Sequence, residues 1–266
     1  MFTFLHQYIP NPYLLEIGFL KIRWYGFLMV VGGLLGYWLI LKLAKRKEME
    51  PGIFEDLLLY FPVGAIIGAR IYYVIYAWDF YQNNFWDIFK IWEGGLAVHG
   101  IMIGGFVATY LYCRKKKLSF FAIADVAVMG LAAAQMIGRA GNYFNQEIFG
   151  KPTELAWGIP IAIANRPVGY ESFEFFHPVF LYECLGSLLI AGLLFFINWK
   201  KLNWKTGNVF AIYLILYSIM RFCLEFLRID YSPAVFGVRW PMIMSVMIFI
   251  CAIGVLLWRN LKKNNS

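Results

Sequence analysis

Residues 119–150 read SFFAIADVAVMGLAAAQMIGRAGNYFNQEIFG. The first part, 119–138, is apolar around its whole circumference apart from Ser119, Asp125 and Gln135. It is long enough for the roughly 20 residues that a helix needs to cross a bilayer. The run then ends abruptly in Arg139, Asn142, Asn145, Gln146 and Glu147. A helix that is apolar all round belongs in a protein core or in a membrane. Composition chooses the membrane. Of 266 residues, 61% are hydrophobic and 15% charged, with a mean hydropathy of +0.62. Soluble domains carry about 45–50% and about 25%. The fold class that follows is an all-α polytopic membrane protein.

Seven segments of this kind are expected to span the bilayer: 22–43, 54–76, 95–113, 119–138, 179–198, 207–227 and 240–258. They form one membrane domain over residues 1–266. The third and fourth are joined by RKKKLS alone and make a hairpin. The connection 139–178 holds prolines, glycines and the alternating stretch WGIPIAIANRP, which reads as a small extracytoplasmic arm with β character. Residues 1–19, with Pro10, Pro12 and Glu16, do not read as a cleavable signal.

The net charge of +8 raises the question of nucleic acid. The positive residues sit in short clusters between apolar runs, however, so they read as topology determinants and no nucleic-acid partner is expected. KLAKRKEME after the first segment, RKKK after the third, Lys200, Lys201 and Lys205 after the fifth, and Arg259, Lys262 and Lys263 at the end hold fourteen of the 24 lysines and arginines. The positive-inside rule then places the N-terminus outside and the C-terminus in the cytoplasm. Cys113, Cys184, Cys223 and Cys251 are each isolated in or beside an apolar segment, with neither metal spacing nor a disulfide framework.

With that orientation, the polar residues within the spans fall at one depth. Tyr25 starts the first segment, Arg70 lies near the end of the second and His99 near the start of the third. Arg139 and Asn142 end the fourth, Tyr182 and Glu183 open the fifth, and Tyr217, Arg221 and Glu225 occupy the last third of the sixth. All lie in the outer half of the membrane; Asp125 is the clearly buried charge nearer the inner side. A charge at mid-bilayer costs about 2.5–3.5 kcal/mol on insertion scales. Several at one depth imply a polar chamber open toward the outer leaflet.

In YSIMRFCLEFLR, residues 217–228, the spacing puts Tyr217, Arg221, Glu225 and Arg228 on one helical face. Such a row can neutralise itself. It can also hold Arg221 toward an anion, since the planar guanidinium donates two parallel charge-assisted hydrogen bonds to a phosphate. His99 lies among Gly94, Gly95, Gly100, Gly104 and Gly105. The Gly100/Gly104 pair permits close helix packing, and the histidine is either a hydrogen-bonded structural residue or a proton acceptor suited to neutral pH. Arg139, Asn142 and Gln146 share a face if the fourth helix continues, and read either as interfacial caps or as ligand contacts.

RWYG (23–26), GARIYYV (68–74), EGGLAVHG (93–100), GRAGNYFNQEIFG (138–150), HPVFLYE (177–183) and YSIMRFCLEFLR occur in this order and cover nearly the whole chain. Together they resemble the prolipoprotein diacylglyceryl transferase family. Ile101, Ala140 and Tyr143 depart from the residues common there without removing a charged group. The resemblance implies an enzyme of the bacterial inner membrane with its active site toward the outer leaflet. It would move the sn-1,2-diacylglyceryl group of phosphatidylglycerol to the lipobox cysteine thiol of a prolipoprotein signal peptide, releasing glycerol phosphate. No cofactor and no metal are implied. It points to His99, Arg139 and Arg221 as catalytic. Arg139, Arg221, Asn142, Tyr25 and Arg70 are expected to contact phosphatidylglycerol, with Glu147, Gly150, Glu183, Tyr217, Glu225 and Arg228 in support.

A transporter would need charges along a path through the whole bilayer and repeated broken helices, and neither is apparent. An intramembrane protease lacks its G-x-S-x-G or paired aspartates here. A non-enzymatic protein that binds anionic lipid without consuming it is the remaining alternative.

Overall fold

The computed structural model describes residues 6–200 and 204–261. Lys201, Lys262 and Lys263, counted above toward orientation, lie outside the described residues. Seven long helices occur among those described: α1 Trp24–Arg46, α2 Gly52–Tyr76, α3 Val98–Lys115, α4 Phe120–Asn145, α5 Val179–Trp199, α6 Asn208–Glu225 and α7 Trp240–Leu261. Each corresponds to one expected span. Six of them, all but α3, are long and apolar enough to cross a membrane, which makes this a multi-pass membrane protein. α3 reaches 18 residues, but His99, Arg114, Lys115 and its glycines dilute its hydropathy. α4 runs past the expected end at 138 to Asn145, so Arg139 and Asn142 stand on helix rather than in the arm.

The chain forms two compact units, residues 41–124 and residues 1–40 with 125–266. In the first, α2 and α3 lie against each other through glycines. A Cβ at Gly68 would meet the Gly104 Cα at 2.7 Å, and one at Gly100 would meet the Ala69 Cα at 2.6 Å. Carbonyl oxygens of the facing helix are closer still, so only hydrogen fits at these positions. This is the close approach expected of Gly100 and Gly104. The end of α2 is closed by Arg70, which is discussed below. At the other end the Tyr112 hydroxyl donates to Asp56 at 2.7 Å, and Lys116 reaches the same carboxylate at 3.4 Å.

In the second unit, α1 and α4 approach by the same device: a Cβ at Gly36 would stand 2.6 Å from the Gly130 carbonyl oxygen. α6 packs against both α5 and α7. The buried charge Asp125 on α4 is satisfied by backbone. Its carboxylate accepts from Gly207 N and Phe210 N, each at 2.7 Å. It thereby caps the N-terminus of α6 from a neighbouring helix, where orphan amides and the helix dipole both favour an anion.

Short β pairs decorate this unit. β1 (Tyr13–Ile17) and β2 (Leu20–Arg23) form an antiparallel hairpin ahead of α1, turning at Gly18 with φ +56°. The sequence reading started the first span at 22 and missed this hairpin. In the arm, β3 (Ile159–Pro160) pairs antiparallel with β4 (Phe175–Phe176). Phe149, Ile159, Ile161, Phe176 and Phe180 gather into a small apolar core beneath it. β5 (Ala234–Val235) and β6 (Val238–Arg239) make a third hairpin that leads into α7.

Gly100→Ala forces the α2 and α3 backbones apart, an overpacking that costs about 1–3 kcal/mol. Thermal unfolding in detergent is expected to show a lowered midpoint for Gly100→Ala. Gly33→Ala, where an added Cβ meets nothing within 4 Å, leaves it unchanged.

Candidate functional site

The second unit brings four helix ends to one ionic cluster. At its centre is Glu183, on the first turns of α5 and only 2% exposed. Its Oε2 receives Arg139 Nε from α4 at 2.5 Å. Its Oε1 lies 3.5 Å from Arg221 Nη1 on α6 and 3.3 Å from Arg228 Nη1 just beyond that helix. A second buried carboxylate, Glu225, takes Arg221 Nη2 on Oε2 at 2.7 Å and Arg239 Nε on Oε1 at 2.7 Å. The i,i+4 pair expected in YSIMRFCLEFLR is thus formed, whereas the i,i+3 pair Glu225–Arg228 is loose at 3.9 Å. Arg228 turns instead to Asp230, donating from Nε and Nη2 at 2.7 and 2.8 Å. Burial alone would raise the Asp230 carboxyl, but the Arg228 hydrogen bonds and the charges of Arg228 and Arg239 hold it below the usual range.

The charge balance of this cluster is informative. Arg139, Arg221, Arg228 and Arg239 face Glu183, Glu225 and Asp230, so four positive charges meet three negative ones. One positive charge is left over beside two deeply buried carboxylates, Glu183 and Glu225. Arg139 keeps both terminal nitrogens open: beyond its Nε contact they donate to none of the described residues, and its side chain is 27% exposed. Arg228 and Arg239 turn all three nitrogens to the protein, the latter donating to Glu225 and to the backbone carbonyls of Arg228 and Asp230.

Asn142, buried one turn beyond Arg139, donates to Glu147 Oε1 at 2.7 Å, and Asn145 donates to the same atom at 3.1 Å. Glu147 therefore ties down the end of α4 and does not pair with an arginine. The chain reverses there through Gln146 and Ile148, with φ of 52° and 57°. Gln146 Oε1 accepts from Ala162 N and from Asn165 Nδ2 across the arm at 3.0 and 2.8 Å. Gly150 makes an isolated bridge with Arg228; a Cβ there would stand 2.8 Å from both the Leu227 carbonyl oxygen and a Val179 methyl. Glycine is needed at 150 so that the arm strand can lie against the backbone that carries Arg228. Tyr25 lies on Gly141, whose added Cβ would meet the Tyr25 ring at 3.0 Å. Tyr217 stacks on Tyr213 with ring centroids 5.9 Å apart, outside the ionic row.

Arg70 and His99 belong to the other unit. The five N–H donors of Arg70 meet five backbone carbonyls, those of Asp87, Ile88, Lys90, Gly94 and Gly95. Its guanidinium also lies over the Tyr81 ring at 5.2 Å. His99, in the first turn of α3, stacks on Tyr72 at 5.8 Å.

Asp230 and Arg239 are the residues that sequence reasoning missed. Both lie in the short link 226–239, outside any periodic segment, and their partners are brought close only by the hairpin β5–β6. The only signal was two further charges next to span ends.

Glu183→Gln removes the shared counter-charge of three guanidinium groups. Breaking a buried ion pair from one side costs about 3–5 kcal/mol, measurable as a loss of unfolding free energy in detergent; exposed Glu154→Gln stays within about 0.5 kcal/mol. In the arm, His177 accepts or donates at Tyr182 Oη over 3.2 Å, and burial lowers its pKa. A lowered pKa means that protonation favours the unfolded arm. Stability is full above about pH 6.5 and declines as pH falls through and below that value. Unfolding curves between pH 8 and 5 are expected to flatten in His177→Gln.

Residues 12–258 match the family model described as prolipoprotein diacylglyceryl transferase. Relatives named phosphatidylglycerol--prolipoprotein diacylglyceryl transferase are similar over nearly their full lengths. The relative from Gloeobacter violaceus is 40% identical over 94% of this chain and 93% of its own. That from Parasynechococcus marenigrum is 42% identical over 94% and 93%, and that from Trichormus variabilis 39% over 96% and 91%. The chain belongs to the prolipoprotein diacylglyceryl transferase family.

Proposed function

We propose that this member of the family transfers the sn-1,2-diacylglyceryl group of phosphatidylglycerol to the lipobox cysteine of a prolipoprotein signal peptide. The observation that carries this reading is the arginine cluster with one unbalanced positive charge and the unused terminal nitrogens of Arg139. A phosphatidylglycerol headgroup is a phosphodiester with one negative charge. It matches the surplus, and its paired oxygens match the guanidinium fork.

The nucleophile is the thiolate of the substrate cysteine. Its sulfur attacks the glycerol carbon bonded to the phosphate oxygen. The carbon–sulfur bond forms as the carbon–oxygen bond breaks, and glycerol phosphate leaves with the electron pair. That leaving group gains negative charge, which Arg139 and Arg221 stabilise as it develops. The thiol proton goes to His99, assigned on the chemistry of imidazole near neutral pH. The equation balances without a metal or an organic cofactor.

Arg70 acts within its own unit and not as the headgroup contact expected from the sequence. With every donor on a backbone carbonyl, it holds the segment 87–95 that leads to His99 and offers nothing to a headgroup. Asn142, Glu147 and Gly150 hold the end of α4 and the arm, while Glu183, Glu225 and Arg228 fix the two reactive arginines. Tyr25, packed on Gly141 of α4, and Tyr217, on the α6 helix that carries Arg221, support the helices of the two arginines. In the membrane, α3 counts as the seventh span. The N-terminus lies outside, the C-terminus in the cytoplasm, and the cluster opens toward the outer leaflet of the bacterial inner membrane. Phosphatidylglycerol and the apolar signal-peptide helix then enter from the surrounding lipid.

Arg139→Lys and Arg221→Lys each keep charge but lose the fork. A charge-assisted hydrogen bond worth about 1.5–3 kcal/mol corresponds to a loss of about 10- to 150-fold in transfer from labelled phosphatidylglycerol to a lipobox peptide. Full activity in both variants would sink the assignment. His99→Gln is expected to lower turnover. Binding of phosphatidylglycerol without formation of a thioether by the unaltered protein would favour the lipid-binding alternative.

A further inference from the structure

Arg239 stands apart from the other arginines of the cluster. It comes from strand β6 rather than from a helix of the ionic row, and each of its nitrogens is already engaged: Nε on Glu225 at 2.7 Å, Nη1 on the Arg228 carbonyl at 3.3 Å and Nη2 on the Asp230 carbonyl at 2.9 Å. All three nitrogens are thus turned toward the protein, in contrast to the terminal nitrogens of Arg139. We infer that Arg239 is a positioning residue that sets the surplus charge of the lipid site by sharing the Glu225 carboxylate with Arg221. This rests on the transfer reaction proposed above.

The two oxygens of Glu225 divide its charge between two arginines. The carboxylate is 2% exposed, so it must be neutralised by protein. One oxygen serves Arg221 and the other serves Arg239, each at 2.7 Å. Without Arg239, the whole charge of Glu225 falls to Arg221, with Arg228 still 3.9 Å away. Three guanidinium groups would then face three carboxylates, and the unbalanced positive charge would vanish. Loss of a unit charge at the buried Glu225 carboxylate acts at a distance, so Arg239 influences the ligand through Glu225 and Arg221. Asp230 is its counterweight. It contributes one of the three negative charges, 3.9 Å from Arg239 Nη2 and bonded to Arg228. Its removal therefore shifts the balance in the opposite direction.

This arithmetic separates charge setting from simple scaffolding. Arg239→Gln leaves a surplus of zero, Asp230→Asn raises it, and the double variant Arg239→Gln/Asp230→Asn returns it to one. The test measures KM and kcat for phosphatidylglycerol in mixed micelles for the full-length enzyme and these variants. It also measures the ratio of phosphatidylglycerol to zwitterionic phospholipid that co-purifies with each. Arg239→Gln is expected to raise KM about tenfold, with a smaller change in kcat. The double variant is expected to bring KM back to within about threefold of the starting protein, and Asp230→Asn alone does not raise it. An unchanged KM in Arg239→Gln overturns the inference, and so does a double variant as impaired as the single one. If Arg239→Gln fails to fold, a KM increase in Asp230→Asn comparable to the tenfold expected above overturns it instead. If the unaltered protein transfers no label, the proposed reaction fails; the co-purified lipid ratios still decide whether Arg239 sets the charge.

Discussion

The buried carboxylate of Glu183 is the constraint on which the site depends. A lone ionised carboxylate in so dry a place would cost several kcal/mol, and the chain meets that cost with three arginines drawn from α4, α6 and the link after α6. Each arginine is thereby held at a defined height and angle. An arginine cluster without such an anion would repel itself apart, and with a full set of anions it would have no use for a ligand. Three carboxylates for four guanidinium groups lie between those limits.

The arm follows from the same economy of polar groups. α4 ends in a buried region, so its terminal backbone and side chains need partners. Asn142 and Asn145 find Glu147, and Gln146 finds Ala162 and Asn165. These bonds bend the chain back over a small aromatic and aliphatic core. Lys151 N then donates to the Leu227 carbonyl at 2.8 Å, next to the Gly150–Arg228 bridge. The arm is therefore joined by backbone to the segment that carries Arg228, and its folding and that of the ionic cluster support each other.

Much of this was legible in the chain itself, for identifiable reasons. The apolar runs lie on all seven helices, and the six that are apolar enough to cross a membrane stand out because a membrane leaves an extended compositional trace. The i,i+4 relation of Arg221 and Glu225 was readable because helical geometry is local. What was not legible depended on contacts distant in sequence. The hairpin 13–23 carries charges and apolar residues on both faces and gives no clear period. Arg70 looked like a ligand for lipid because nothing in its own helix shows that five carbonyls from residues 87–95 converge on it. Asp230 and Arg239 lie in a link with no pattern, and their place in the cluster comes from a hairpin of two-residue strands.

Asp125 and Glu225 together have a consequence for how α6 sits in lipid. Asp125 grips the first turn of the helix, and Glu225 is its last residue. Eighteen residues separate these fixed ends, a span of roughly 27 Å at 1.5 Å per residue, close to the thickness of the hydrocarbon core. The helix cannot slide to suit a thicker or thinner bilayer without breaking one anchor. It acts as a ruler: hydrophobic mismatch must be absorbed by tilt or by deformation of the lipid, while the height of Arg221 above the opposite interface stays constant.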